Sequence, residues 1–369
     1  MLPLLNPKGP VHTAPADFVM GAGILMIAVW AGTTRARVHV PYVVPFGGLA
    51  VAGLVAALAG DAPIPGGSAV LQDLFLLGWC AAITSVCRTP QALQSVVRAW
   101  CLSATAWAGL LVVLTLSGQS ALAGKAGGVG RARLWFDHPN MAGNYFVIAL
   151  FVVLAARYPR QPVARALAVA ALLAALLLAG SNAALLCLPV GGLVIVFLRA
   201  RSRGGPVQAL AVVLCLTLAG GAALTVVAEP IAARIEQSET SIVRYSVARG
   251  SRSASARESL FSAQYELFRD SNLLGIGPAA TRLALGETEA DKVKESHNDY
   301  LATLVERGPL GVVALLVLMS ALSFLFFLRA RGTGCMSALA WWGVTSALAL
   351  TTHYFAGVAS QTPGKLVRA

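Results

Sequence analysis

The amino-acid sequence predicts an all-α polytopic membrane protein with about ten transmembrane helices and one large loop that contains short helices. Of its 369 residues, 57% are apolar and only 12% are charged, about half the charge of an average soluble domain. Apolar runs of membrane-spanning length recur along the chain, and basic residues collect in alternate connections between them. These observations exclude a soluble single domain and a disordered chain.

The apolar runs give the order of the predicted helices. A hydropathy window of about 19 residues finds ten candidate spans, at 17–34, 40–60, 69–87, 99–118, 139–156, 163–180, 183–198, 207–228, 309–328 and 335–355. Only Gly180, Ser181 and Asn182 separate the sixth run from the seventh, which leaves open whether 163–198 is two spans. We therefore divide the chain into eight N-terminal helices (1–228), a large loop (229–308) and two C-terminal helices (309–369).

The charge distribution predicts the orientation of these helices. The net charge is +12, and alternate connections hold twelve arginines without a single acid: Arg35, Arg37, Arg88, Arg98, Arg157, Arg160, Arg165, Arg199, Arg201, Arg203, Arg329 and Arg331. Such connections are typical of the cytoplasmic face. The loop 229–308 holds twelve of the sixteen acids and is predicted to face the other side, with both termini. Because the basic charge is divided among short turns, membrane lipids are the expected partner and nucleic acid is not.

Two further features of the sequence bear on function. We find no cleavable signal peptide in residues 1–17. The six cysteines lie in or beside apolar runs without metal-ligand spacing, so we interpret them as small buried apolar residues and predict no metal site: Cys80, Cys87, Cys101, Cys187, Cys215 and Cys335.

The smaller outer connection, 119–138, is Gly-rich and then basic. It carries Lys125, Arg131 and Arg133, with Trp135 close to the next helix. Two interpretations stay open: a hydrated turn whose tryptophan lies at the membrane interface, or a cationic patch that faces the outer leaflet.

The large loop has a pattern of its own. Residues 255–270 are predicted to form an amphipathic helix that lies on the membrane surface or against the bundle. A turn at NLLGIGPAA follows, with Gly275 and Gly277. A second amphipathic helix is predicted from Ser296, with His297, Tyr300, Leu301 and Leu304 on one face; Gly308 ends it and Pro309 starts the next membrane helix.

From the residues alone, the candidate site is an outer one built from His297 and loop arginines. Histidine exchanges protons near neutral pH, and arginine binds phosphate through paired hydrogen bonds. The alternative is that His297 is an ordinary residue at a helix end near the membrane. Metalloprotease, serine hydrolase and P-loop motifs are absent from the sequence.

Three sequence patches resemble the bacterial O-antigen ligase and polymerase family. HNDYLATLVERGPLG is similar to the family signature at His297, Asn298, Tyr300, Leu301, Glu306, Gly308 and Gly311. Arg257 and Phe261 followed by LLGIGP (273–278) resemble its arginine helix and glycine turn. HPNMAG (138–143), with Pro139 and Asn140 and with Arg131 and Arg133 upstream, resembles a third patch. The patches span about 180 residues in the family's order; the chain departs at Asn272, where proline is usual, and at Ser181-Asn182-Ala183, where Ser-Arg-Gly is usual.

The resemblance implies a GT-C-like helical bundle in the bacterial inner membrane and a glycosyltransferase site that faces the periplasm. The donor would be a glycan on undecaprenyl diphosphate and the acceptor lipid A core or a growing glycan, without metal or other cofactor. Arg257 would stabilise the leaving diphosphate, with Arg244, Arg249, Arg131 or Arg133 in support, and His297 would accept or orient the acceptor proton. Asn298 and Tyr300 would bind glycan or pack, whereas the remaining positions would be structural: Glu306, Gly308, Gly311, Gly275, Gly277, Pro139 and Asn140.

Three alternatives remain. A polymerase of the same family shares the donor and differs in the acceptor. A transporter or flippase requires ionisable residues at mid-membrane, and the only acids in the predicted spans, Asp17 and Asp73, are each predicted near a span end. A structural or assembly protein without catalysis is the third.

Overall fold

The structure is a computed structural model that describes residues 15–119, 122–124, 131–134, 136, 139–236, 260–271, 273–285 and 298–329. Within these ranges every regular element is a helix. The helices are α1 (Pro15–Thr34), α2 (Val43–Ala59), α3 (Pro63–Val86), α4 (Pro90–Leu116), α5 (Pro139–Ala156), α6 (Pro162–Ala179), α7 (Asn182–Glu236), α8 (260–270), α9 (Thr281–Ala284) and α10 (Asp299–Arg329).

The helices confirm an all-α polytopic membrane protein. Eight segments of the described chain are long and apolar enough to cross a membrane, and α2 is a shorter apolar helix of 17 residues. They correspond to nine of the ten predicted spans, while the tenth, 335–355, lies outside the described residues. The run 163–198 is two helices, because Gly180 adopts φ 57° and ends α6 before α7 begins at Asn182.

Several helices begin earlier or end later than the apolar runs predicted. α3 begins at Pro63 and α4 at Pro90, so Arg98 lies inside α4 and was wrongly assigned to a connection. Arg165 lies in α6. Arg199, Arg201 and Arg203 lie in α7, near the point where Gly205 (φ 83°, ψ 178°) breaks the helix and where two candidate membrane spans meet, Ala183–Arg201 and Arg203–Ala223. Proline suits the first helical turn, and a hydropathy window does not detect polar turns that extend a helix beyond its apolar run. α7 likewise continues to Glu236, so the first residues of the predicted loop are helical.

The described residues form two compact units. In the first, which comprises 15–96 and the described residues of 260–322, α3 packs against α1 and α2. Small residues allow the α2–α3 approach: a Cβ placed on Gly66 would lie 2.6 Å from the Cβ of Ala57, and Ala57 is buried.

The second unit comprises the described residues of 97–236 together with 323–329. It centres on α5, which packs against α6 and α7. Phe146, Val147 and Val153 of α5 are fully buried. A Cβ placed on Gly143 would lie 2.5 Å from the Cβ of Ser181, so α5 passes close to the α6–α7 junction.

Candidate functional site

The described part of the predicted site is the start of α10 and the turn that precedes α9. Seven of the predicted site or motif residues belong to this part: Asn298, Tyr300, Glu306, Gly308, Gly311, Gly275 and Gly277. The predicted catalytic residues His297 and Arg257 lie outside the described residues, as do Arg244 and Arg249. The structure therefore describes the framework beside these residues.

Asn298 caps α10. Its side-chain Oδ1 accepts hydrogen bonds from the backbone N–H groups of Tyr300 (3.0 Å) and Leu301 (3.2 Å). The first N–H groups of a helix have no partner inside the helix, and asparagine is among the best residues to satisfy them. The cap fixes the start of α10 one residue after His297, and it gives Asn298 a structural role in addition to the predicted binding role.

The helix that begins at Asn298 has a buried side and ends at Gly308, as predicted. Leu301 and Val305 are buried, while Tyr300 and Leu304 are half-buried. Gly308 breaks the helix with φ 64° and ψ −171°, and Pro309 starts the apolar part of α10. The segment 299–307 is thus a short, separately oriented helix before the longer one.

The glycine turn supplies hydrogen bonds to the carbonyl groups next to this break. Pro309 has no N–H to donate to the carbonyl of Val305. The N–H of Ile276 donates to that carbonyl instead (2.9 Å), and the N–H of Gly277 donates to the carbonyl of Glu306 (3.1 Å). The two sequence patches are therefore one structural unit, which we call the turn–helix lock: residues 273–281 paired with residues 305–308.

Glycine is required where the two segments of the lock touch. Gly275 (φ 89°) would place a Cβ 2.7 Å from the backbone nitrogen of Gly308. Gly308 would in turn place one 2.5 Å from the carbonyl oxygen of Leu273. Both contacts involve backbone atoms, so a side chain at either position forces the segments apart.

The side chain of Glu306 adds a hydrogen bond between the two segments of the lock. The hydroxyl of Thr281, which is buried, donates to Glu306 Oε1 at 2.9 Å. This contact agrees with the structural role that the sequence predicted for Glu306.

Arg307 connects the lock to the membrane helices, a role that the sequence did not predict. Its Nη2 lies 2.5 Å from Asp73 Oδ2 of α3, and its Nη1 donates to the carbonyl of Leu49 in α2 (3.1 Å). The two side chains are only 10% and 17% exposed. Charges that leave water require a close partner, so the pair fixes the lock against two helices.

The prediction that Asp73 lies near the end of its membrane span was wrong. Because α3 begins at Pro63, Asp73 lies well inside the helix and not near its end. Its carboxylate is paired with Arg307.

The second unit contains the other predicted patch. Arg131 donates from Nη2 to Asn140 Oδ1 (2.7 Å) and from Nε to the carbonyl of Ala179 (3.0 Å). It therefore joins the first turn of α5 to the last turn of α6, where a cation suits the exposed carbonyls. Pro139 is buried at the first position of α5.

The rest of this patch is described in part. The backbone N–H of Arg133 donates to the carbonyl of Ala123 (3.1 Å). Trp135 and His138 lie outside the described residues, as does Lys125.

Comparison with known proteins now relates this framework to a family. Residues 166–316 match the sequence profile of the family described as O-antigen ligase. No curated protein matches the chain. The matched region includes both segments of the turn–helix lock and the sequence with His297 and Arg257, whereas the Arg131–Asn140 patch precedes it. The resemblance of the two C-terminal patches is thereby confirmed.

Proposed function

We propose that the protein transfers a glycan from undecaprenyl diphosphate to an acceptor hydroxyl at the periplasmic face of the inner membrane. Residues 166–316, which match the O-antigen ligase family, support this proposal. The acceptor is lipid A core, and the reaction needs no metal ion. The observation that carries the proposal is the family match across the turn–helix lock and the sequence that links its two segments.

The proposed reaction is a single displacement at the anomeric carbon of the glycan. The acceptor hydroxyl oxygen attacks this carbon while the bond from the carbon to the diphosphate oxygen breaks. His297 accepts the hydroxyl proton, and Arg257 stabilises the charge that develops on the leaving diphosphate. Arg244 and Arg249, or Arg131 and Arg133, add positive charge around the diphosphate.

The framework supports this assignment by holding the chain next to His297. The Asn298 cap fixes the residue that follows it, and the turn–helix lock fixes the helix behind it. Preorganised groups stabilise a transition state because they need not reorient during the reaction. A rigid start of α10 is what a general base at position 297 requires.

The direct test uses purified protein with a lipid-linked oligosaccharide, a lipid A core acceptor and EDTA. We expect transfer in EDTA, and its loss in His297→Ala and in Arg257→Ala. Arg269→Ala is the matched control, because Arg269 is an exposed arginine of α8 that pairs with its exposed neighbour Asp270. Wild-type transfer by either site variant contradicts the site assignment, and loss of transfer that Mg²⁺ restores contradicts metal independence.

A cell that lacks the protein distinguishes ligase from polymerase. For a ligase, lipid-linked polymer accumulates and surface attachment is lost. For a polymerase, the surface carries single repeat units. The second result would replace lipid A core by a growing glycan as the acceptor.

One observation bears on the alternative that the protein is a transporter. Asp73 is an acid inside a candidate membrane span, which a coupled transporter requires. Its ion pair with Arg307 and the additional bond from Arg307 to Leu49 favour a structural role. Movement of a lipid-linked glycan across sealed vesicles by purified protein, without glycosidic bond formation, would favour the transporter.

A further inference from the structure

The surface of the described loop carries four large apolar side chains that the described residues leave about half exposed. Phe261 and Tyr265 of α8 are 51% and 52% exposed, and Leu273 and Leu274 of the following turn are 61% and 46% exposed. We call these four residues the apolar edge. Phe261 and Tyr265 are one turn apart in α8, and Leu273 and Leu274 are neighbours in the sequence. Exposed apolar side chains that group on a protein surface mark an interaction site.

The sides of α8 differ in burial and in charge. Gln264, at the centre of its inner side, is fully buried, and Leu260 and Leu267 beside it are half-buried. Arg269 and Asp270 are exposed and form an ion pair on the outer side. Phe261 and Tyr265, one turn apart, lie between these two sides. An aromatic stripe beside a charged stripe is the pattern of helices that lie in the interface plane.

The apolar edge is continuous with a membrane-spanning segment. The carbonyl oxygen of Leu273 lies 2.5 Å from the Cβ position of Gly308, and that of Leu274 lies 2.9 Å from it. Pro309 follows directly and begins the apolar part of α10, where Leu310 and Val313 are 55% and 56% exposed. The turn therefore contacts the point where α10 enters its apolar stretch.

We infer that the apolar edge is a docking surface for the bilayer itself, with Phe261, Tyr265, Leu273 and Leu274 inserted among the acyl chains just below the headgroups. The charged side of α8 then faces water, and the turn–helix lock is held at the depth of the lipid phosphates. If the protein acts on a lipid-linked diphosphate as proposed, this is the depth at which that group is presented. The insertion itself does not depend on the transfer reaction.

Site-directed spin labelling in vesicles tests the inference. The six native cysteines are replaced, and a nitroxide is attached to single cysteines at 261, 265 or 273, or at the control positions 262 and 266 on the polar side of α8. The full chain is reconstituted in phosphatidylethanolamine and phosphatidylglycerol. The accessibility of each label to oxygen, which concentrates in acyl chains, is compared with its accessibility to a water-soluble nickel chelate.

We expect oxygen accessibility to exceed nickel accessibility at 261, 265 and 273, and the reverse at 262 and 266. Nickel accessibility at 261 and 265 equal to that at 266 would overturn the inference in favour of a water-exposed face. Low accessibility to both reagents would also overturn it, because another part of the chain or a second copy would then cover the edge. Three separate positions keep the test decisive if one labelled variant fails to fold.

Discussion

Arg307 and Asp73 are 234 positions apart in the sequence, yet the guanidinium Nη2 and the carboxylate Oδ2 lie 2.5 Å apart. Removal of either partner leaves a charge in a largely buried position. We expect Asp73→Asn or Arg307→Gln to lower the unfolding free energy by about 3–5 kcal/mol, measured by thermal unfolding in detergent.

A double variant and an exposed pair serve as controls for this prediction. Asp73→Asn with Arg307→Gln removes both charges and should lose less stability than either single variant. Arg269→Gln breaks a pair whose side chains are 70% and 71% exposed, so no measurable loss is expected. Single variants as stable as Arg269→Gln would refute a structural role for the Arg307–Asp73 pair.

The contact between Gly275 and Gly308 leads to a second prediction. Gly308→Ala adds a Cβ in contact with two carbonyl oxygens and places alanine at φ 64°. With ψ −171° this backbone conformation is essentially restricted to glycine, so alanine there costs about 1–3 kcal/mol, and the contact adds to it. We expect a lower unfolding temperature and reduced transfer, because the helix that follows His297 in the sequence loses its contacts with the glycine turn.

Gly67→Ala is the matched control for the lock. Gly67 lies in α3, and a Cβ placed on it meets no atom of the described residues within 4 Å. Alanine is a better helix former than glycine, so this variant should be at least as stable as the wild type. Equal behaviour of Gly308→Ala and Gly67→Ala would argue against close packing in the lock.

Glu306 offers a distinction between a structural and a catalytic carboxylate. A glutamine at 306 retains an acceptor for the Thr281 hydroxyl, which donates to Oε1 in the structure. We therefore expect Glu306→Gln to retain transfer, and Glu306→Ala to lose about 0.5–1.5 kcal/mol of stability together with part of its transfer. If transfer requires the ionised group, Glu306→Gln will be as inactive as His297→Ala, and the structural interpretation fails.

Asn298 allows the same kind of separation. Aspartate and serine also cap helices well, whereas alanine costs about 1 kcal/mol at such a position. If capping is its main role, transfer by Asn298→Asp and Asn298→Ser will stay near the wild-type level and transfer by Asn298→Ala will fall with stability. Loss of transfer in all three variants at unchanged stability would instead indicate that the amide binds glycan.

These contacts show which features of the structure could be predicted from the sequence. A membrane helix must satisfy its backbone internally and present apolar side chains to lipid, so apolar runs predicted nearly every helix. The end of the short helix at Gly308 was also predicted, because glycine and proline act locally. The contact of Arg307 with Asp73 was not, because it depends on how α3 and α10 pack and leaves no local pattern. The hydropathy window also missed the polar start of α4, which placed Arg98 in the wrong element.

The Arg131–Asn140 contact gives the last prediction. Arg131 donates from two nitrogens to acceptors on two helices, Asn140 of α5 and the carbonyl of Ala179 in α6. A lysine ammonium lacks the planar fork that serves both acceptors. We expect Arg131→Lys to lower the unfolding temperature, while Arg160→Lys, a change at an exposed connection, leaves it unchanged.

Asn140→Ala then separates structure from phosphate binding at Arg131. If Arg131 acts mainly by joining α5 to α6, Asn140→Ala will reduce stability and transfer as Arg131→Lys does. The double variant will add little, because both changes remove one shared contact. If Arg131 instead binds the donor diphosphate, Arg131→Lys will raise the KM for the lipid-linked donor and Asn140→Ala will not. Comparison of Arg131→Lys with Asn140→Ala therefore separates the two roles. A structural role of Arg131 depends on its hydrogen bond with Asn140, so the two variants then behave alike.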